Sequence, residues 1–253
     1  MARVLALLPA TDFDPTEIAV PWQAVTAAGH TVVVATPDGS PGQADPRMLT
    51  GEGLGVWASI LRADANGRAA YAALSAAPEF RSPARWADVR GDAYDALLLA
   101  GGHAPGMRVY LESALVQAHT AAFFVSGRPV AAICHGTLVA ARTLDPATGR
   151  SVLHGRRTTG LLRTQELLAW AMTAAWLGNY YRTYTTPLQV EVTAALAAPD
   201  DFVPGPVPLR RDAPGDLAAG FVHVDGNYLS ARWPGDAHRF GAALVERLRA
   251  RIG

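Results

Sequence analysis

Four short, almost continuous apolar runs constrain the fold of this chain more than any other feature of its sequence. They are rich in Val, Leu, Ile and Ala, are bounded by Gly, Pro or Asp, and cover residues 3–8, 31–36, 96–100 and 129–134. Such runs are typical of parallel strands that are covered on both faces. Segments with helical spacing lie between them, at 16–28 and 107–124. This order predicts an α/β fold with a doubly wound, mostly parallel sheet flanked by helices, and active residues at the carboxyl ends of the strands.

The remaining segments are predicted to complete one α/β domain that covers residues 1–253. Residues 40–90 are interrupted by proline and glycine around a helix-like stretch at 61–77, which indicates a cap-like insertion that could roof the site. Further helices are predicted at 164–177 and 234–251, and the proline-rich stretch 199–215 is expected to be irregular. Asp225-Gly226-Asn227 lies between two apolar runs, which predicts a hairpin because this turn needs positive φ angles.

The composition narrows the classes of function. Lys plus Arg and Asp plus Glu both count 22, and no basic stripe is present, so nucleic acid is not expected as a partner. The first apolar run is too short to span a membrane, and we expect a cytoplasmic protein with no membrane partner. The single cysteine excludes an internal disulfide and a cysteine-rich zinc site. No two of the seven histidines have a ligand spacing, so neither a metal nor another cofactor is expected.

Cys134 is the strongest candidate for a reactive residue. An apolar strand runs directly into it, and a helix-like segment with Gly136 follows at once, which predicts a nucleophile elbow that exposes the thiol at the edge of the sheet. We expect the following helix N-terminus to stabilise the thiolate and to lower the pKa of Cys134. The alternative is a buried structural cysteine, since free cysteine is among the most buried residue types.

Two backbone N–H groups are candidate donors to an oxyanion. One belongs to His135, whose imidazole is also a candidate base, although adjacent side chains usually point in different directions. The other belongs to Gly102, because the strand at 96–100 ends in Gly101-Gly102 and glycine lets a backbone approach a substrate closely. A pair of glycines also marks many ordinary turns.

Three segments together resemble those of the ThiJ/PfpI superfamily: GGHAPG at 101–106, AICHG at 132–136 and DPTE at 14–17. The resemblance extends to ATPDG at 35–39 and LSARWPGD at 229–236. It implies a class I glutamine amidotransferase-like, flavodoxin-type fold. It also implies that Glu17 hydrogen-bonds the cysteine sulfur and exchanges protons with it. From the sequence pattern alone, Glu17 would be a solvated carboxylate in the first turn of a helix, where the dipole favours it.

The length and the Gly-Gly-His segment are similar to the larger, chaperone and glyoxalase III-like branch of this superfamily. That branch completes a Cys-His-acid triad, but residues 158–164 hold no carboxylate here. Glu166 and Asp225 are the candidates that could supply the acid from another direction. Weaker candidates for binding the substrate are Gly101, His103, Trp22 and Trp233.

Three functions fit these features. The first is a hydrolase- or lyase-type enzyme of the glyoxalase, deglycase or amidohydrolase kind, in which Cys134 attacks a small carbonyl or amide compound and Glu17 exchanges protons. The second is a stress-response or redox-sensing protein in which Cys134 is oxidised to a sulfinate. The third is a holdase chaperone. A homodimer is expected.

Overall fold

A seven-stranded sheet forms the centre of the computed structural model, which describes residues 1–252. The strands are β1 (Arg3–Leu7), β2 (Thr11–Phe13), β3 (Thr31–Thr36), β4 (Gln43–Ala44), β5 (Ala84–Arg85), β6 (Ala96–Leu99), β7 (Val130–Ile133), β8 (Val222–Asp225) and β9 (Tyr228–Ala231). The main sheet has the order β5-β3-β1-β6-β7-β9-β8, and β2 pairs with β4 in a small separate sheet. All neighbours in the main sheet are parallel except β8 and β9. The predicted α/β, mostly parallel fold is confirmed.

Apart from the exposed Arg3, the three central strands consist of buried apolar residues because helices cover both faces of the sheet. Their register pairs Leu7 with Leu99 and Leu99 with Ala132. The carboxyl ends of β1, β6 and β7 are therefore neighbours at one edge of the sheet. The segments that follow these strands meet there.

The helices are α1 (Pro15–Ala27), α2 (Pro46–Thr50), α3 (Ala58–Leu61), α4 (Ala65–Ala76), α5 (Pro78–Arg81), α6 (Arg108–Leu111), α7 (Ala114–Val125), α8 (Gly136–Arg142), α9 (Arg163–Leu177), α10 (Leu188–Ala195) and α11 (Ala237–Ile252). Helix α1 packs against α4 and α11. Asp14 caps α1 by accepting hydrogen bonds from the N–H groups of Thr16 and Glu17 at 2.7 and 3.1 Å. This cap fixes the first turn of α1, which carries Glu17, beside the end of β1.

The helices of the structure differ from the sequence-based prediction in two places. The predicted helix at 107–124 is divided into α6 and α7, because the Ser113 side chain accepts a hydrogen bond from the Val116 N–H at 3.3 Å and starts a new helix. Helix α10 was not predicted from the sequence. The predicted hairpin is present, with Asp225 opposite Tyr228 and Gly226 at a φ of 59°.

The segment 40–90 contributes to the main sheet as well as covering it. It contains α2 to α5, and its strand β5 pairs with β3 at the edge of the sheet. The stretch 199–215 is irregular apart from one short 3₁₀ turn at Pro199–Asp201. Within residues 1–252, no helix combines the length and the apolar character that crossing a membrane requires.

Candidate functional site

The chain makes a strained turn at Cys134, between the end of β7 and the start of α8. The φ angle of Cys134 is 53°, and Asp12 is the only other non-glycine residue with a positive φ among residues 1–252. This conformation costs about 1–3 kcal/mol outside glycine. Gly136 makes the turn possible, since a Cβ atom there would lie 2.1 Å from the Leu99 carbonyl oxygen. The structure therefore has the elbow that the sequence predicts.

The Cys134 side chain is fully buried at this elbow, which corrects the expectation of an exposed thiol. Its sulfur lies 3.6 Å from His135 Nδ1 and 3.8 Å from His103 Nε2. His135 and His103 are themselves 2% and 9% exposed. A cavity of about 250 Å³ is lined in part by His103, whereas neither Cys134 nor His135 lines it.

Glu17 lies in the first turn of α1 and is also fully buried. Its Oε2 accepts a hydrogen bond from the Gly101 N–H at 2.9 Å, and the Cys134 sulfur is close enough to affect the pKa of its carboxyl group. Its Oε1 is buried and has no hydrogen-bond partner among the described residues. The sequence pattern alone favoured a solvated Glu17, and the structure places it beside the sulfur, as the resemblance implied.

Burial sets the protonation of this pair. Burial, followed by the negative charge of Asp14, raises the pKa of Glu17 well above its usual range. Burial, followed by the charges of Glu17 and Asp14, also raises the pKa of the Cys134 thiol. The expectation of a lowered thiol pKa is therefore wrong, because desolvation of the sulfur outweighs the His135 N–H and the helix N-terminus. Since two adjacent negative charges are unfavourable here, Glu17 retains a proton when the sulfur is ionised.

The two histidines beside the sulfur are neutral around pH 7. Burial lowers the pKa of His103 to about 4. Burial, followed by the charges of His103 and Arg142, lowers the pKa of His135 well below its usual range. Neither imidazole therefore supplies a positive charge that would pair with a thiolate.

The two predicted oxyanion donors have different surroundings. The His135 N–H is close enough to the Cys134 sulfur to lower the pKa of the thiol, whereas Gly102 lies against Asp12, Phe13 and Met107, and its N–H has no acceptor among residues 1–252. Gly101 has a different position from the one predicted. A Cβ atom on Gly101 would lie 2.6 Å from the His135 nitrogen and 2.7 Å from Glu17 Oε2, so this glycine lets Glu17 and the elbow approach each other and does not line the cavity.

Trp233 and His103 both line the cavity, as the sequence analysis proposed. Trp22 does not line it: its indole N–H donates to Glu79 Oε1 at 2.9 Å on another part of the surface of α1. His103 also packs edge-on against Tyr181, with the ring centroids 5.6 Å apart. Tyr181 is a further cavity residue, which the sequence analysis did not select.

Neither candidate for the third triad residue reaches His135. Glu166 is buried, but its Oε2 accepts a hydrogen bond from the Leu188 N–H at 2.8 Å, at the start of α10. Asp225 pairs with Tyr228 at the amino end of β9, and β9 runs parallel to β7, so Asp225 lies at the opposite end of the sheet from Cys134. Its carboxylate accepts a hydrogen bond from the Arg157 N–H at 2.7 Å. Among residues 1–252, no carboxylate is hydrogen-bonded to His135.

The cavity wall is largely apolar, and three separate parts of the chain supply most of it. Residues from the segment 40–90, from α9 and from the stretch 199–215 line it, among them Met48, Leu61, Leu168, Met172 and Leu209. These residues belong to no sequence motif and share only their hydrophobic character. They could therefore not be distinguished in the sequence from residues of the core.

Arg211 brings a positive charge to this apolar wall. Its Nη2 donates to the Arg62 carbonyl oxygen at 3.2 Å, and its guanidinium carbon lies 5.3 Å from the centre of the Trp233 ring. Its Nη1 is buried and has no partner among residues 1–252. One donor of Arg211 is therefore left to interact with a bound molecule.

A buried ion pair holds the backbone near this wall. Arg232 and Asp236 are fully buried and form two hydrogen bonds, at 2.9 Å from Nε and 2.8 Å from Nη2. Arg232 Nη1 also donates to the Pro206 carbonyl oxygen. The pair thus fixes the stretch that carries Leu209 and Arg211.

Comparisons with known proteins give a consistent result. A family model described as ThiJ/PfpI family-like matches residues 8–206. The chain is 25% identical over 247 residues to a deglycase of Pyrococcus abyssi, which covers 98% of this chain and 99% of the relative. It is 26% identical over 249 residues to an uncharacterised protein of Schizosaccharomyces pombe, covering 96% and 82%. The crystal structure of glyoxalase III from Candida albicans matches with a TM-score of 0.66 and 19% identity over 97% of each chain, which concerns the fold alone.

Proposed function

Because this chain belongs to the ThiJ/PfpI family, we propose that it is a cysteine-dependent enzyme in which Cys134 acts on small reactive carbonyl compounds that enter through the cavity lined by His103. The observation that carries this proposal is the pairing of Cys134 on a strained elbow with the buried carboxyl group of Glu17. A buried acid that keeps its proton near neutral pH is suited to proton transfer. The similarity to a deglycase agrees with a carbonyl substrate.

The reaction starts from the ionised form of the Glu17–Cys134 pair, with the remaining proton on Glu17. The thiolate attacks the carbonyl carbon, a C–S bond forms, and the electron pair of the C=O bond moves to the oxygen. The N–H groups of Gly102 and His135 stabilise the negative oxygen. Glu17 then transfers its proton to this oxygen, which leaves a neutral hemithioacetal and a Glu17 carboxylate.

The cavity limits which compounds reach the sulfur. Its volume of about 250 Å³ and its apolar wall favour small substrates with little polar surface. The free Nη1 donor of Arg211 favours a substrate that also carries an oxygen acceptor. A small oxo compound with a second carbonyl or a carboxylate group meets both conditions.

The experiment is a panel of small aldehydes, 2-oxo acids, amides and esters, assayed with four proteins. Wild type is expected to convert at least one aldehyde or oxo acid, and Cys134→Ser is expected to convert none. Glu17→Gln should reduce turnover about 10²- to 10⁴-fold, because it removes the proton donor. Glu79→Gln is the matched control, since Glu79 contacts Trp22 outside the cavity, and it should behave like wild type. Activity that survives Cys134→Ser would come from another site and would contradict the proposal.

A redox-sensing role is the second candidate, and one observation favours it. His135 has no carboxylate partner among residues 1–252, so the triad of the glyoxalase III-like branch is incomplete here. The chain has no second cysteine that could form an internal disulfide with an oxidised Cys134. Absence of turnover on the whole panel, together with clean oxidation of Cys134 by peroxide, would favour this role over the enzyme.

A further inference from the structure

Three soft ligand atoms converge at the elbow in a way that the sequence spacing does not reveal. His103 and Cys134 are 31 residues apart in sequence, but the adjacent parallel strands β6 and β7 bring them together. The sulfur of Cys134 lies 3.8 Å from His103 Nε2 and 3.6 Å from His135 Nδ1. The three ligand atoms all lie within 4.8 Å of one another.

These distances agree with the geometry of tetrahedral zinc. Zn–S and Zn–N bonds of about 2.3 and 2.05 Å place a sulfur and a nitrogen ligand about 3.6 Å apart at the tetrahedral angle. Both observed sulfur–nitrogen distances are close to this value.

The surroundings of His103 provide independent support. The residue is 9% exposed, and its Nδ1 has no hydrogen-bond partner among residues 1–252. The Cys134 sulfur is the polar partner of its other nitrogen. No protein acceptor therefore fixes the orientation of this ring, and the cavity that reaches His103 provides an entry path and room for a water molecule as fourth ligand.

We propose that Cys134, His103 and His135 bind one Zn²⁺ ion, with the fourth coordination position open to the cavity. A thiolate with two imidazoles suits zinc better than Mg²⁺ or Ca²⁺, which prefer oxygen ligands. Binding transfers the thiol proton to solvent and donates a sulfur electron pair to the metal. Bound zinc therefore blocks the nucleophile reversibly, a regulation that goes beyond the proposed function.

Metal binding is tested without any substrate. The full chain is reduced, freed of metal and titrated with Co²⁺, whose bond to a thiolate gives a charge-transfer absorption band, and Zn²⁺ is then added as competitor. We expect one Co²⁺ per chain, loss of the band on addition of Zn²⁺, and no band in Cys134→Ser. His103→Gln and His135→Gln should each weaken Co²⁺ binding at least about 100-fold. Substitution of residues that only hydrogen-bond a metal ligand already weakens metal binding by up to about 100-fold, and these two substitutions remove a ligand itself. His154→Gln is the matched control, because His154 is exposed and contacts Arg150, and it should bind like wild type.

A second measurement on the wild-type protein does not depend on the folding of any variant. Stoichiometric Zn²⁺ should protect Cys134 from alkylation by iodoacetamide, and a chelator should restore the original rate. Absence of the cobalt band in wild type would overturn the proposal. An unchanged affinity in folded His103→Gln and His135→Gln would also overturn it, because the metal would then be held by the thiolate alone.

Discussion

Relative to wild type, the Asp14→Asn variant is expected to be more stable at neutral pH than at acid pH. Asp14 is 2% exposed, and burial raises its pKa from 3.8 to about 6. Asn keeps a side-chain oxygen that can accept the hydrogen bonds from the N–H groups of Thr16 and Glu17, and Asn and Asp are about equally good helix caps. The substitution therefore removes a buried charge and retains the cap.

The direction of this pH effect follows from the pKa of Asp14 in the folded and in the unfolded protein. Asp14 binds its proton more tightly in the folded protein, so its contribution to stability is complete below about pH 3.8 and is lost as the pH rises through about 6. The whole shift corresponds to about 3 kcal/mol at about 1.4 kcal/mol per pKa unit, and about 1.4 kcal/mol of it falls between pH 5 and pH 8. The charge of Asp14 also raises the pKa of Glu17, so its removal acts in the same direction.

Urea unfolding, followed by tryptophan fluorescence at several pH values between about 5 and 8, measures this effect. The free energy of unfolding of Asp14→Asn, relative to wild type, should rise by about 1.4 kcal/mol over that range. Asp64→Asn is the matched control, because Asp64 caps α4 through the Gly67 N–H at 2.8 Å but is only partly buried. If the difference between Asp14→Asn and wild type does not change with pH, burial does not determine the protonation of Asp14 and the reasoning fails.

Three further results are expected at the elbow. Glu17→Gln should raise the alkylation rate of Cys134 around pH 7, because it removes the carboxylate charge that raises the pKa of the thiol; an unchanged rate would show that Glu17 does not act on the sulfur. In a urea titration, Gly136→Ala should lower the free energy of unfolding by about 3 kcal/mol, since its Cβ would overlap the Leu99 carbonyl oxygen. Gly91→Ala is the control and should have little effect, because the nearest atom to its Cβ is 4.0 Å away. Peroxide should oxidise Cys134 slowly, because the thiol is fully buried and its pKa is raised; rapid addition of two oxygens to Cys134, detected by peptide mass spectrometry, would show a more accessible thiol than this burial indicates.

The sheet and the elbow could be predicted because they depend on local patterns. Strands β6 and β7 are buried on both faces, so nearly every residue in them must be apolar, and the runs are visible in the sequence. The elbow was predictable because a strand ends at Cys134 and Gly136 follows. The division into α6 and α7 depends on one hydrogen bond from Ser113, which helical spacing does not reveal.

The properties of the site depend on long-range contacts, and these were not predictable. The pKa of the Cys134 thiol is raised first by burial and then by the charges of Glu17 and Asp14, which follow β1 on the other side of β6, so the helix that follows the cysteine does not decide its value. His103 approaches the sulfur through the pairing of β6 with β7. Glu166 and Asp225 were plausible acids by position, but one caps α10 and the other lies at the far end of the sheet.

The buried pair of Arg232 and Asp236 supports the cavity wall from a part of the sequence that does not carry the reacting groups. The reacting groups follow β1, β6 and β7, whereas Leu209 and Arg211 in the cavity wall are held by an arginine that follows β9. Breaking the pair would leave one charge buried without a partner, so changes at either position are expected to destabilise the protein. An exchange of Leu209 would alter the apolar wall, whereas an exchange of Arg211 would also remove a charge that lowers the pKa of Glu17. The shape of the cavity and the protonation of the reacting groups are therefore coupled through Arg211.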